Sequence, residues 1–230
     1  TDSGTQRAIV DLRGGGNLNI LFYMLGTNKL AAFNSTTTWI QSTGTIPLNQ
    51  WTHVALTRSG TSSKLFINGT QDGTATNSDV NVSSGPPYIG RQNGSTSADW
   101  LGYISNVRVV KGTALYTSSF TPSTKPLVAI ANTSLLTCQS NMFIDNSPVN
   151  STLTVVGNAS IKSYSPFSAY TIPKYYSSYF NNSSSDYLTV ASNAVFALPG
   201  DFTIECWKIG RAHVLNSSHI TISYAVFCLK

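Results

Sequence analysis

The chain has 230 residues, a formal charge of +5 and only 10% charged residues, against about a quarter in an average globular domain. That length allows one large domain or two small ones with a core that needs no covalent staples, and no apolar run reaches the 18 or so residues of a membrane-spanning helix. Residues 208–230 supply Lys208, Arg211 and Lys230 and no acid, so the remaining 11 basic and 9 acidic residues leave +2, with no Lys/Arg cluster to track a nucleic-acid backbone.

Short alternating segments separated by Gly, Asn, Ser and Thr clusters, with no helical stripe longer than two turns, predict an all-β chain. Strands are expected at 8–12, 17–25, 29–34, 51–58, 63–69, 88–91 and 101–110. In the second, Leu18, Ile20, Phe22 and Met24 share one face and Asn17, Asn19 and Tyr23 the other, the period of a half-buried strand. Gly14–Gly16 reads as a strand-to-strand turn, since no Gly-Lys-Ser/Thr and no helix follow to make a phosphate loop. Asn68-Gly69 follows an apolar run and predicts a tight hairpin, because its turn needs positive φ. Packed face to face, such segments form a two-sheet antiparallel sandwich, or jelly roll. Cys138, Cys206 and Cys228 are an odd, widely spaced set with no CxxC, and read as small apolar residues.

The stretches NQWTHVALTRSGTSSKLFINGT and YIGRQNGSTSADWLGYISNVRVVKGTALYTSSFTPSTKPL carry a W-x-H-x-A strand, an Asn-Gly hairpin, an I-G-R strand and a G-Y-I-S-N-V-R-V-x-K-G strand with a Phe-Thr-Pro exit. Together these resemble the laminin G-like branch of the concanavalin A-like lectin and glucanase superfamily, over about residues 5–207. The resemblance implies that residues 1–165 are one such sandwich lacking its opening strands, and 166–176 a linker in a Pro-bearing stretch. Residues 177–207 then resemble the opening strands of a next repeat, expected to fold back and complete the first sandwich. The start at TDSGTQ, without Met, reads as a fragment of a tandem array.

Residues 208–230 are read as a non-native tail, because 209–230 resemble a translated sequencing adapter. ATC GGA AGA GCA CAC GTC encodes Ile209 to Val214, CTG AAC TCC AGT CAC encodes Leu215 to His219, and the adapter's remaining bases encode Ile220 to Lys230. The alternation of ITISYAVFCL also fits a strand pair, but a match this long sets the tail outside functional reasoning.

Without that tail His53 is the one histidine, and with no nucleophile motif nearby it reads as a packed sheet residue rather than a base. Glycosidases of the superfamily need a carboxylate pair, whereas the chain has a single glutamate, Glu205, expected with Asp201 at the start and on the solvent face of a strand. No catalytic residue and no metal ligand is therefore assigned. No cofactor is expected; a rim calcium, as some family members hold, would have to use Asp72, Asp79 or Asp99, which are scattered singly.

Lectin-like sandwiches combine an aromatic platform with amide and carboxylate groups on rim loops. Trp39, Arg91, Asn93 and Asp99 are the candidate ligand-binding residues on that ground, while Trp51 and Trp100 read as core. The sequons at Asn34, Asn68, Asn93, Asn150 and Asn158 are chance products of the composition. The resemblance implies a non-catalytic recognition module binding glycan or protein at an extracellular or virion surface, in an array with other repeats of the same chain, without nucleic acid or membrane insertion. The alternatives are a purely structural repeat of a fibre, tail or adhesin and, more distantly, a glycoside hydrolase.

Overall fold

Fifteen strands are found among residues 6–14, 20–34, 37–76, 85–95, 98–167, 175–181 and 186–210, which the computed structural model describes. They are β1 (Arg7–Asp11), β2 (Leu21–Met24), β3 (Leu30–Phe33), β4 (Thr38–Gln41), β5 (Thr52–Ser59), β6 (Ser62–Ile67), β7 (Thr70–Thr76) and β8 (Tyr88–Ile89). β9 (Leu101–Lys111), β10 (Thr133–Thr137), β11 (Leu153–Val156), β12 (Ser160–Lys162), β13 (Ser177–Asn181), β14 (Tyr187–Val190) and β15 (Phe202–Gly210) follow.

Two antiparallel sheets result, as the alternation predicts. The first runs β11-β14-β8-β1-β2-β3-β4; the second runs β12-β13-β9-β15-β5-β6-β7, with β10 beside the second half of β9. Residues 177–210 do not stand apart: β13 pairs β12 and β9, β14 lies between β11 and β8, and β15 between β9 and β5. Strand β15 runs three residues past Trp207, through Lys208, Ile209 and Gly210. Residues 211–230, most of the adapter-like tail, and 168–174, most of the expected linker, lie outside the described residues.

The core lies between the sheets, where Ile20, Phe22, Met24, Val54, Leu56, Trp100, Val107, Val109, Phe202, Ile204 and Cys206 all pack with at most 6% exposure. Both β-strand faces are dry in two places where the sequence suggested one wet face. Tyr23, expected outward, is 1% exposed in a small outer cluster with Ala8, Leu21 and Ala31, its hydroxyl bonded to Thr38 Oγ1. Glu205, expected on a solvent face, is 0% exposed.

The reason for the second difference is a strap. Residues 112–131 cross the outer face of the second sheet and are stitched to it: Leu115 N–H donates to Thr203 Oγ1, Thr57 Oγ1 to the Tyr116 carbonyl, and Phe120 N–H to the Gly69 carbonyl. Further along, Leu127 N–H donates to Asn106 Oδ1 and Arg108 to the Val128 carbonyl. The Asn68-Gly69 turn has the expected positive φ values, 50° and 78°, and a side chain at position 69 would collide with the strap, since a Cβ there meets Phe120 O at 1.9 Å. A second covering piece, residues 163–167, lays Tyr164 on Trp51 and Tyr103 and Phe167 on Trp207. Trp51 is accordingly half-buried on this outer face rather than in the core, whereas Trp100 is a core residue at 0%.

Candidate functional site

Alternation along β15 turns Phe202, Ile204 and Cys206 inward, and Thr203, Glu205 and Trp207 outward beneath the two covering segments. The Glu205 carboxylate there accepts from Arg108 Nε at 2.8 Å and Nη2 at 2.6 Å, lies 2.9 Å from His53 Nε2, and accepts the Tyr116 hydroxyl at 2.9 Å. Burial alone would raise the Glu205 carboxyl, but the His53 hydrogen bond and the Arg108 charge outweigh it and hold the group below the ordinary carboxylate value. The Tyr116 phenol is pushed up by burial and by the adjacent carboxylate. Tyr116 stacks on Phe120 at 3.5 Å, and Phe120 packs edge-on against His53 at 5.6 Å. Chemically, this carboxylate is saturated with donors and sealed, so it clamps the strap to the sheet.

Beside this network, the two covering segments leave a cleft of about 470 Å³. It is lined by Trp207 and Phe167, which meet edge to face, by Pro122, Ser123 and Thr124 of the strap, by Pro166, and by Asn68 of the hairpin. None of these seven side chains is ionisable. Asn68 spends its Oδ1 on the His53 N–H, which leaves its amide N–H2 as a donor at the rim; the Thr124 hydroxyl is exposed. The indole N–H of Trp207 has no acceptor among the described residues.

Of the sequence-nominated residues, the structure pairs Arg91 with Asp99, keeps Asn93 in the same loop bonded elsewhere, and leaves Trp39 apart. Arg91, Asn93 and Asp99 share the loop between β8 and β9, where Arg91 Nε is 3.6 Å from Asp99 and the guanidinium lies 4.9 Å over the Tyr187 ring. Asn93 N–H donates to Asp11 Oδ2, and the Arg7 guanidinium donates to the Asp99 carbonyl. Asp99 itself is 0% exposed, and burial raises its carboxyl against the pull of Arg91 and Arg7. Trp39 sits half-buried on β4, packed on the core at the far edge of the first sheet. Four strand spacings separate β4 from β8, roughly 19 Å, so Trp39 does not belong to the loop cluster. For calcium, Asp72 is engaged by the Thr43 and Gly44 amides, Asp79 lies outside the described residues, and among the described residues no three His, Cys, Asp or Glu side chains converge on a metal position.

The cleft residues escaped sequence reasoning, because four separate segments contribute them. The legible signals were partial: the Asn68-Gly69 turn, and the outward phase of Trp207 opposite inward Cys206. A family model described as the concanavalin A-like lectin/glucanases superfamily matches residues 1–116, half of the chain. No curated protein and no solved structure compared with the chain gives a match.

Proposed function

The chain belongs to the concanavalin A-like lectin/glucanase superfamily, and from that premise we propose that it is a non-catalytic recognition module binding carbohydrate or protein at an extracellular or virion surface. The observation that carries the reading is the lining of the Trp207 cleft, in which aromatic rings meet amide and hydroxyl groups and, among the described residues, no ionisable side chain takes part. Such a lining holds a ligand in place but has nothing to move a proton with. Hydrolysis of a glycoside needs two carboxylates flanking the bond, and the single glutamate is enclosed by Arg108, His53 and Tyr116. The loop of Arg91, Asn93 and Asp99 is proposed as a subsidiary rim contact, with buried Asp99 acting by orienting Arg91.

The test is to display the full chain to a printed array of neutral and anionic glycans and, in parallel, to a library of secreted proteins. Binding above background that falls at least tenfold in Trp207→Ala, with the bound glycan recovered uncleaved, supports the reading; no binding in either arm defeats it. The structural-repeat alternative has one observation in its favour. Strands from residues 177–210 occupy interior places in both sheets, which suits modules that close one another along an array. Residues 177–207 are proposed, in that setting, as the opening strands of a following repeat.

A further inference from the structure

Resting on the recognition reading above, we infer that the Trp207 cleft takes an uncharged oligosaccharide of at least two sugar residues, one ring packed against the corner formed by Trp207 and Phe167 and the next on the exposed face of Tyr164. A cleft of about 470 Å³ falls within the roughly 300–1000 Å³ of sites that enclose drug-sized ligands, more than one hexose ring fills. The apolar face of a sugar ring needs an aromatic surface, and its hydroxyls need groups that both donate and accept. Trp207 and Phe167, 5.7 Å apart, supply the first, while the free Asn68 amide and the Thr124 hydroxyl supply the second.

Tyr164 extends this surface. It is 47% exposed, unusual for a ring in contact with two others: it rests on Trp51 at 5.4 Å and Tyr103 at 5.0 Å, and Tyr103 in turn contacts Tyr179 at 4.8 Å. The ring is thereby backed by a layer of aromatic side chains. Three positions separate Tyr164 from Phe167, so their Cα atoms are at most about 11 Å apart, the reach of two linked sugar rings.

Charge decides the class. Among the described residues no Lys, Arg, Asp, Glu or His lines the cleft, and the neighbouring Glu205 carboxylate is buried and bonded to Arg108 and His53. Sulfated or uronic sugars would find no cation there. A peptide that binds by adding a strand would need a free strand edge for its backbone, whereas the strand under the cleft, β15, is paired on both sides by β9 and β5; a polyproline-type peptide needs no such edge and is the competitor that decaproline tests.

The experiment uses the full chain in calorimetric titrations at pH 7.4. Neutral probes are N-acetylglucosamine and its β-linked dimer to tetramer, the cello- and laminari-oligosaccharides and the manno-oligosaccharides; the contrasting probes are a heparin tetrasaccharide and decaproline. At least one neutral series is expected to bind, with affinity rising from monomer to dimer. Tyr164→Ala is expected to abolish that rise, about a tenfold loss for the dimer with monomer affinity unchanged, and Tyr164→Phe to retain it. Tyr164 is exposed enough that Tm should hold in both variants, which separates lost binding from lost folding. Equal dimer affinity in wild type and Tyr164→Ala overturns this inference while sparing the recognition reading. So does binding of heparin or decaproline alone. No binding by any probe, nor on the glycan and protein displays above, removes both.

Discussion

Lys208→Met should stabilise the protein, and by an amount that depends on pH. Lys208 is 0% exposed on the inward side of β15, its Nζ 4.0 Å from Met24 Sδ and 5.8 Å from the Trp100 ring centroid, with no carboxylate paired to it among the described residues. Burial lowers its pKa from 10.5 to about 7, with only a small opposing pull from Cys206. The unfolded chain therefore binds a proton at this site between about pH 7 and 10.5 that the folded chain does not, so stability rises with pH across that window. Below about pH 7 the penalty is fully present. At about 1.4 kcal/mol per pH unit, the distance from 10.5 to about 7 is worth about 5 kcal/mol as an upper figure. By the same arithmetic it falls to about 2 kcal/mol at pH 9. Methionine fills a similar volume without the amine, so the stability difference between Lys208→Met and wild type should shrink by about 2–3 kcal/mol from pH 6 to pH 9. Urea unfolding followed by tryptophan fluorescence at four pH values measures it, and other titrating groups cancel because both proteins carry them. A difference that stays constant from pH 6 to 9, or a destabilised Lys208→Met, would show that the amine has found an acceptor or water and that the burial argument is wrong.

Glu205→Gln strands Arg108 in a dry site without its counter-charge and should cost about 3–5 kcal/mol, with faster amide exchange across residues 115–128 as the strap loosens. Because the Glu205 carboxyl is held below its ordinary value when folded, its contribution is present above the unfolded value and is lost as the pH falls through the folded one. The acid unfolding of wild type, read by circular dichroism, should accordingly be steeper than that of Glu205→Gln; identical acid limbs would remove the clamp role. Gly69→Ala meets both a φ of 78° and a Cβ 1.9 Å from Phe120 O, so it should destabilise by well over 1 kcal/mol and shift the Asn68 and Phe120 amide resonances together. A neutral Gly69→Ala would mean that strap and hairpin do not touch in solution.

The strands that could be read directly were those in which local geometry decides. In β2, β5, β6 and β9 the two-residue period follows from the pleat, and apolar residues at that period have one stable solution. Asn68-Gly69 was legible for the same kind of reason, since few residue pairs tolerate positive φ. β4 and β7 were not, because TWIQ and TQDGTAT carry no apolar alternation; β7 becomes a strand because the tight turn delivers it alongside β6, with one register shift at Leu65/Phe66. Trp39 looked exposed in a polar stretch, but β4 turns it onto the core.

The sequence by itself determined the all-β class, the alternation of each strong strand, the tight hairpin and the laminin G-like resemblance, all properties of neighbours in the chain. Only the tertiary structure decided which outward face is wet. Glu205 points away from the core, as its position in β15 dictates, yet it is buried because a strap from residues 112–131 comes down over it. The same strap, with residues 163–167 and the hairpin, creates the Trp207 cleft from segments some 140 positions apart, counted from Asn68 to Trp207. No local pattern encodes such a meeting, because it depends on which surfaces remain to be covered once both sheets have closed on their core.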